Sequence, residues 1–515
     1  MSHSSPATPV LVVGAGIMGA GIAQVAALAG HRVWLHDNRP GAAAAACTQL
    51  ATTLRGLAAK GRLTDAAVDE ALARLHPVDA LDAAAGAGLV VEAIVEQLDA
   101  KRALLRELEA RLSPTAILAS NTSSISITAL ARGLAHPGRV VGMHFFNPVP
   151  LMKLVEVVSG LHTDPAVADQ VAALATAWGK TAVHARSTPG FIVNRIARPY
   201  YAETLALLQE RAAPPEVLDA CLRGVGFRMG PCELMDLIGH DTNFAVTESV
   251  YGANFGDKRY QPSLVQRELV DGGWLGRKSG RGFYPYGEAA ATPALPEPLA
   301  GTLPGRVRWH AGAGDAVAAF GQRWCEALAA AGVQVEQASP GDGGDWVGMA
   351  WDGLRLALTD GRLAAHRGAA DGVPTAVFDL PLPSAPGAAL AWGAGPDVSD
   401  DARATVGAVL ATAGVRPVQI EDVAGLVVAR TVAMLINEAA DAVQQGVCSP
   451  EGADLAMKLG VNYPAGPFEW LQRWELPAVV ALLDALDAFY RGERYRVSPW
   501  LRRRCPPPSR AGSAR

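Results

Sequence analysis

The sequence of 515 residues predicts an α/β protein with a doubly wound domain, an all-helical domain, a smaller sheet domain and a second helical domain. Three observations predict this organisation. Apolar strands alternate with amphipathic helices up to about residue 188, which is typical of a parallel sheet covered by helices on both faces. Helical patterns replace the alternation after Thr188-Pro189-Gly190. The helical segment then recurs near the end of the chain, at an offset of 235 residues.

Length and composition narrow the class of protein. A chain of this length exceeds what one hydrophobic core serves, so we expect several domains. The net charge of -5 gives no electrostatic reason to expect a nucleic-acid or membrane partner. Six scattered cysteines lack metal-type spacing and favour a reducing compartment. From this spacing we expect no metal centre. We find neither a signal peptide nor an apolar run of about 18 residues, so we expect a cytoplasmic protein.

The first strand-to-helix turn carries a dinucleotide-binding pattern. Three glycines in the spacing GxGxxG follow the apolar strand Val10 to Val13. Such glycines permit a tight turn, close approach of a pyrophosphate and close packing of the helix, and the helix start attracts the anion. A structural turn without a ligand is the alternative. The candidate cofactor residues of this turn are Gly14, Gly16, Ile17, Met18 and Gly19.

The next predicted strand, Arg32 to Asp37, ends on an acid 18 residues after Gly19. A carboxylate at this position can accept the ribose hydroxyls of NAD and would repel a 2′-phosphate, which favours NAD over NADP. Arg39 could meet such a phosphate, although we interpret it as a solvated side chain, and Asp37 could instead cap a helix. The whole unit predicts a Rossmann-type NAD domain over residues 1-188.

Polar residues follow two further predicted strands, at the sheet edge where ligands bind in such folds. Glu92 and Glu96 follow one strand, and Asn121 to Ser123 follow the next. These side chains could contact a ligand or cap helices. For Ser124 and Ser126 we prefer capping.

A histidine and a glutamate occupy strands that are neighbours in sequence. His144 closes one apolar strand, and Glu156 lies inside another, Leu154 to Val158. Burying a carboxylate among apolar residues is costly unless another group answers its charge, and the histidine could do so. Glu156 would then orient the imidazole and make it a better general base. A structural histidine is the alternative, but the adjacent dinucleotide unit favours catalysis.

The helical part repeats, and only one copy has a polar candidate. Asn194 lies early in the first copy, where its amide could hold a substrate carbonyl or cap the helix. In the second copy the matching residue is Ala429, so we interpret that copy as structural. Other residues agree between the copies: Gly190 with Gly425, Arg195 with Arg430, and Glu203 with Glu438.

The region between the two copies shows no Gly-rich phosphate loop, which predicts a reduced sheet domain without a cofactor site. The predicted domains are the NAD-binding domain 1-188, the first helical domain 189-286, the linker and reduced Rossmann-like domain 287-390, the second helical domain 391-501, and a disordered tail 502-515.

These motifs together resemble the L-3-hydroxyacyl-CoA dehydrogenase family, and in particular its short-chain 3-hydroxybutyryl-CoA branch. The matching stretches, in the family's order, are GAGIMGAGIAQ, VVEAIVE, SNTSS, GMHFFNPVPLMKLVEVV, TPGFIVNR and GRKSGRGFYPY. The full chain is similar to the bacterial forms with a duplicated C-terminal domain that are often found in phenylacetate degradation. The resemblance implies that such forms act on a dicarboxylyl substrate such as 3-hydroxyadipyl-CoA.

The resemblance also implies roles for individual residues. His144 matches the family's general base, and Glu156 matches its partner. Ser123 and Asn194 resemble the residues that contact the reacting hydroxyl and the thioester region, and Asn147 resembles an asparagine that fixes the site. The positions that match or adjoin cofactor contacts are Asp37, Glu96, Lys101 and Asn121. Two positions approximate the family's CoA contacts: Thr53 and Lys60.

The function implied is NAD-dependent oxidation of a (3S)-3-hydroxyacyl-CoA to the 3-ketoacyl-CoA. Two alternatives remain open: a dehydrogenase of a free hydroxy acid on the same scaffold, and a non-catalytic NAD-binding protein. Family members with one helical domain pair through it as dimers. We therefore expect either a homodimer or an internal pseudo-dimer of the two helical copies.

Overall fold

The structure is a computed structural model that describes residues 8–287, 293–311, 317–339, 346–382 and 385–505. The chain divides into two compact units. The first contains Met1–Arg195 and Gln445–Val461, and the second contains Ile196–Gln444 and Asn462–Arg515.

Eight strands form one sheet in the first unit. They are β1 (Val10–Val13), β2 (Val33–His36), β3 (Leu75–Val78), β4 (Leu89–Glu92), β5 (Ile117–Ser120), β6 (Val140–Phe145), β7 (Leu154–Ser159) and β8 (Thr181–Arg186). Their order is β3-β2-β1-β4-β5-β6-β7-β8, and the runs VLVV and LVVE are buried on both faces, as is typical of parallel strands.

The sheet is mixed, whereas the sequence predicted a parallel one. All neighbouring strands are parallel except β6 and β7, which run antiparallel. The reason is the connection 146–153, which is shorter than the dozen or more residues that a parallel crossover needs. The antiparallel turn is what places the end of β6 beside the middle of β7.

The helices that follow these strands are α1 (Ile17–Leu28), α2 (Ala42–Ala59), α3 (Asp65–Arg74), α4 (Leu98–Arg111), α5 (Ile127–Ala131), α6 (Pro165–Ala177) and α7 (Val193–Ile196). Local signals fix several helix starts. Thr64 and Asp164 accept backbone N–H groups at the starts of α3 and α6, as capping residues do. Ser126 caps α5 in the same way, as we predicted.

The first helical segment continues with α8 (Arg198–Gln209), α9 (Pro215–Gly224), α10 (Pro231–Ile238), α11 (His240–Ala253) and α12 (Leu264–Asp271). A glycine separates α10 from α11. Gly239 has a φ of 97°, which ends α10 and starts α11, because a helix cannot continue through that conformation. Pro199 lies in the first turn of α8, where its missing N–H costs nothing.

A second sheet lies in the second unit. Its strands are β9 (Arg306–His310), β10 (Gln334–Gln337), β11 (Gly348–Trp351), β12 (Leu354–Leu358), β13 (Thr375–Phe378), β14 (Ala389–Ala394) and β15 (Arg416–Gln419), in the order β10-β9-β11-β12-β13-β14-β15. Its helices are α13 (Ala318–Ala330), α14 (Ala364–Asp371) and α15 (Asp400–Ala411). The boundary predicted at residue 390 is wrong, because β14 crosses it and the sheet continues to Gln419.

The second helical copy contains α16 (Val428–Gln444), α17 (Pro450–Gly460), α18 (Pro467–Trp474), α19 (Leu476–Tyr490) and α20 (Pro499–Arg504). The predicted disorder is wrong for Arg502 to Arg504, which are helical because Ser498 caps α20 and Pro499 occupies its first turn. The rest of the predicted tail, 506–515, lies outside the described residues. None of the described helices is both long enough and apolar enough to cross a bilayer.

Candidate functional site

His144 and Glu156 are directly opposite each other on β6 and β7. His144 Nδ1 lies 2.5 Å from Glu156 Oε2, and both side chains are buried. Glu156 Oε1 also accepts hydrogen bonds from the backbone N–H groups of Ile192 and Val193, each at 3.0 Å. These donors replace water around the carboxylate and so offset the cost of burying it.

The pairing with Glu156 determines how the imidazole of His144 can react. An ionised carboxylate only accepts, so Nδ1 carries the proton that it donates to Glu156, and Nε2 is left as a proton acceptor. The rings of Phe146 and Phe191 lie against the imidazole, with centroids at 4.5 and 5.9 Å. The histidine is therefore held in one orientation by the carboxylate and by two aromatic rings.

A cavity of about 370 Å³ opens beside His144, and we call it the reaction cavity. Many of the polar residues singled out in the sequence line it together with Met18: Glu96, Lys101, Asn121, Ser123, His144, Asn147 and Asn194. Asn121 Oδ1 accepts the backbone N–H of Phe145 at 2.8 Å, which fixes the end of β6. The fold thus gathers residues from five separate stretches of the chain around one imidazole.

Glu96 holds the loop that carries Ser123. Its Oε1 accepts hydrogen bonds from the hydroxyl of Thr122 at 2.6 Å and from the backbone N–H of Ser123 at 2.9 Å, and Lys101 Nζ lies 3.2 Å from its Oε2. Burial opposes ionisation of Glu96, but the hydrogen bond from Thr122 and the charge of Lys101 outweigh it and hold the pKa below its ordinary value.

A second carboxylate, Glu92, which the sequence placed at the same edge of the sheet, supports this loop. Glu92 Oε1 accepts from Lys101 Nζ at 2.6 Å, and its Oε2 accepts from the hydroxyl of Ser120 at 2.5 Å. All three side chains are buried. A charged residue at the end of an apolar strand requires an opposite charge, and that signal could have identified the Lys101 pair. Nothing in the sequence distinguishes Ser120.

The glycine turn has the geometry that a dinucleotide needs. Gly14 has a φ of 105°, a conformation that favours glycine. A Cβ on Gly19 would lie 1.7 Å from the carbonyl oxygen of Gly14, so α1 can pack on the turn only with glycine there. A Cβ on Gly16, in contrast, would meet no atom of the described residues within 4 Å, which leaves the approach to the helix start open to a pyrophosphate.

Asp37 binds the same turn and is held ionised. Its Oδ2 accepts the backbone N–H of Ala15 at 2.8 Å, and its Oδ1 accepts Nε of Arg39 at 3.0 Å. The hydrogen bond from Arg39 is the main reason why the pKa of Asp37 lies well below its usual range. Arg39 is exposed, in agreement with its interpretation as a solvated side chain, and its guanidinium is also paired with Asp37.

Asp37, Arg39, Gly14 and Gly16 line a cavity of about 940 Å³. Ala93 and Ile94, which the sequence did not single out, line both this cavity and the reaction cavity. The open glycine turn, the ionised acid at the end of β2 and the size of the cavity fit NAD.

Four of the predicted contact residues line neither cavity: Ile17, Gly19, Thr53 and Lys60. Ile17 is 79% exposed at the start of α1 and lines neither cavity. Thr53 and Lys60 are exposed, and the Thr53 hydroxyl donates to the carbonyl of Gln49 in its own helix. The structure therefore does not bring the two predicted CoA contacts to the cavities, and their role stays a prediction.

Models of three protein families match the chain. The NAD-binding domain of 3-hydroxyacyl-CoA dehydrogenase matches residues 9–188, and its C-terminal domain matches twice, at 190–286 and 425–509. The 3-hydroxybutyryl-CoA dehydrogenase reduced Rossmann-fold domain matches 356–423.

Individual relatives agree with these matches. The chain is 42% identical to the 3-hydroxyadipyl-CoA dehydrogenase of Escherichia coli K12, over 96% of this chain and 97% of that protein. It is 44% identical to a probable 3-hydroxybutyryl-CoA dehydrogenase of Bacillus subtilis, over 54% of this chain and 97% of that one. A crystal structure of 3-hydroxybutyryl-CoA dehydrogenase from Escherichia coli K12 aligns with a TM-score of 0.86 at 42% identity, covering 96% of this chain and 98% of that one. The chain therefore belongs to the 3-hydroxyacyl-CoA dehydrogenase family.

Proposed function

We propose that the chain oxidises a (3S)-3-hydroxyacyl-CoA to the 3-ketoacyl-CoA with NAD, and that His144 is the general base. The observation that carries the proposal is the buried hydrogen bond of 2.5 Å between His144 and Glu156. It leaves His144 Nε2 as the acceptor at a cavity that shares Ala93 and Ile94 with the cavity at the glycine turn. This arrangement matches proton abstraction beside a bound dinucleotide.

Each residue has a defined task in this reaction. His144 Nε2 takes the proton of the 3-hydroxyl, and Glu156 stabilises the imidazolium that results. Ser123 and Asn194 orient the hydroxyl and the thioester, and Asn147 helps to fix the site. Bound NAD⁺ supplies the hydride acceptor. A positioned base of this kind contributes about 10² to 10⁴ in rate.

We propose a dicarboxylyl substrate, with 3-hydroxyadipyl-CoA as the leading candidate and 3-hydroxybutyryl-CoA as the short-chain alternative. The support is the Escherichia coli relative named 3-hydroxyadipyl-CoA dehydrogenase, which matches nearly the whole chain. The test is NADH consumption with 3-oxoadipyl-CoA beside acetoacetyl-CoA. A higher kcat/KM for 3-oxoadipyl-CoA is expected, and activity with free oxo acids but no thioester would contradict the proposal.

We propose that the two helical copies form an internal pseudo-dimer. In the second unit, Glu203 of the first copy accepts from Arg494 at 2.9 Å and from Tyr495 at 2.9 Å. The matching Glu438 of the second copy accepts from Tyr260 at 2.5 Å, and Arg259 lies beside it at 3.4 Å.

Such exchange of equivalent contacts is the pattern of a two-fold interface. A solution mass of about 54 kDa would support the pseudo-dimer, since one chain has a mass of 53.6 kDa, and a tight dimer held by the same residues would contradict it. We also propose a cytoplasmic location and the domain division predicted above, with the second sheet extended to Gln419. Cell fractionation and limited proteolysis test these two points.

A further inference from the structure

Part of the second helical copy belongs to the first unit. Residues 445–461 contain α17 and belong to the same unit as the NAD-binding sheet. In this unit α17 lies against β7 and β8. A Cβ on Gly460 would lie 2.8 Å from Leu154 Cδ2 and 3.0 Å from Val193 Cγ2. The backbone of α17 therefore packs directly on these two side chains, and we call residues 445–461 the support segment.

The two residues under α17 adjoin the catalytic pair. Leu154 is two residues before Glu156 on the same strand and so lies on the same face, and the Val193 N–H donates to Glu156. Burial and the charge of Glu156 raise the pKa of Cys448 in this segment to about 12. The support segment thus packs on two residues that adjoin Glu156, one on its own strand and one that donates to it.

Two hydrogen bonds fasten the start of the support segment. Gln445 Oε1 accepts from Arg195 Nη1 at 2.8 Å, and the carbonyl of Val447 accepts the backbone N–H of Arg186 at 2.8 Å. Arg195 is buried and directly follows Asn194. The Gln445 side chain therefore fixes the helix start that carries the amide proposed to hold the substrate.

The repeat offers a natural comparison for this contact in the second unit. At an offset of 235 residues, Arg430 matches Arg195 and Glu210 matches Gln445, and Arg430 Nη2 donates to Glu210 Oε1 at 3.0 Å. The contact is thus made twice, but next to Arg430 the residue that matches Asn194 is Ala429. The arginine contact therefore adjoins an amide of the proposed active site, Asn194, only at Arg195.

We propose that the support segment, the part of the second helical copy that belongs to the first unit, positions the active site there, and that Gln445 is a positioning residue for Asn194 and for the backbone donors to Glu156. The inference rests on the proposed function for its kinetic consequence. A shift of about 1 Å in a positioning group can cost up to about 10²-fold in rate. The second helical copy lacks a counterpart of Asn194, but on this view its support segment holds the catalytic residues of the first unit in place.

The test compares Gln445→Met with Glu210→Met in the full-length chain. Methionine matches the length of either side chain but offers no strong acceptor. We expect Gln445→Met to lower kcat with acetoacetyl-CoA roughly tenfold, with the KM for NADH unchanged. Glu210→Met should lower thermal stability without lowering kcat. Gln445→Glu, which restores an acceptor of the kind found at Glu210, should keep kcat within about threefold of the original.

Three outcomes overturn the proposal: an unchanged kcat in Gln445→Met, an equal loss of kcat in the two methionine variants, or no recovery in Gln445→Glu. If Gln445→Met does not fold, Gln445→Asn, which withdraws the amide by one methylene, takes its place with the same expected sign.

Amide hydrogen exchange separates this inference from the proposed function. In Gln445→Met the N–H groups of Ile192 and Val193 should exchange faster, whether or not the chain oxidises a CoA thioester. Unchanged exchange at these amides would contradict the positioning role. Faster exchange in a chain without thioester activity would contradict only the proposed function.

Discussion

Two antiparallel strand pairs, β6–β7 and β13–β14, can be compared, and the pair that we propose to be catalytic lies on the first. On β6 the penultimate residue, His144, faces Glu156 of β7. On β13 the penultimate residue, Val377, faces Gly393 of β14. Both pairs are antiparallel, so the second sheet keeps the arrangement of the strands without the histidine and the glutamate that we propose to be catalytic.

The two regions nevertheless share a buried carboxylate at the helix start. In the first region Glu156 accepts the N–H groups of Ile192 and Val193. In the second region Asp379 accepts those of Val427, Val428 and Ala429 at the start of α16, at 2.6 to 2.9 Å.

A helix start that is buried needs such an acceptor, whether or not the protein catalyses anything there. The comparison teaches that this carboxylate is a requirement of the fold. In the proposed mechanism, catalysis is added where the carboxylate lies on the strand that faces His144.

The largest expected effect tests whether the region of the second sheet, which lacks the histidine and the glutamate, contributes any turnover. His144→Gln should lower kcat by about 10² to 10⁴ while NADH still binds, because the glycine turn and Asp37 are untouched. Steady-state assay with acetoacetyl-CoA and fluorescence titration of NADH measure the two effects. The exposed His162→Gln is the control and should be unchanged. Near-normal turnover in His144→Gln would remove this residue from the mechanism.

The second prediction separates the structural role that Glu156 and Asp379 share from the catalytic role proposed for Glu156 alone. Glu156→Ala and Asp379→Ala each leave buried N–H groups without an acceptor, and each should lower the free energy of unfolding by about 1–3 kcal/mol. Only Glu156→Ala should also lower the kcat of the folded enzyme, by about 10² or more. Thermal unfolding and specific activity measure both quantities. A comparable loss of kcat in Asp379→Ala would break the comparison.

The third prediction concerns pH. Burial raises the pKa of Asp379 to about 6 in spite of its backbone donors. Because this value lies above that of an unfolded aspartate, the folded chain holds the proton more tightly, and stability falls as the pH rises from about 4 to about 6.

Asp379→Asn cannot titrate and should lack this loss, which amounts to at most about 3 kcal/mol. Melting temperatures of both proteins across this range measure the difference. The pKa of Asp219 is also raised to about 6 by burial, and its contribution cancels because both proteins contain it. Parallel curves for the two proteins would contradict the prediction.

The smallest expected effect concerns the cofactor site of the first sheet. The sequence of the second sheet contains no Gly-rich phosphate loop of this kind. Asp37→Ala should reduce the preference for NAD over NADP on the order of tenfold, because about 1.4 kcal/mol of repulsion toward a 2′-phosphate is removed. Initial rates with both cofactors measure it, with the exposed Asp69→Ala as control. The original chain should bind one NADH per chain. An unaltered preference in Asp37→Ala would mean that the carboxylate serves only the turn.

Much of the candidate site could be predicted because its signals are local. Gly14, Gly16 and Asp37 stand at spacings that one strand, one turn and one helix impose, and Glu156 is conspicuous as a charge in an apolar strand. The helical repeat is visible as similarity at one offset. Other features gave no local signal. The hydrogen bond from Ser120 to Glu92 and the end of the second sheet at Gln419 depend on contacts between segments that are distant in sequence.

The sequence by itself determined the dinucleotide turn, the order of the domains, the repeat and the identity of the histidine and glutamate, since each follows from residue type and short spacing. Only the tertiary structure decided that the backbone N–H groups of Ile192 and Val193 reach Glu156. Only the tertiary structure decided that residues 445–461 pack on the first sheet and that Asp379 caps α16. These features depend on which buried donors and acceptors meet after the chain folds, and burial makes such pairing obligatory without any trace in local spacing.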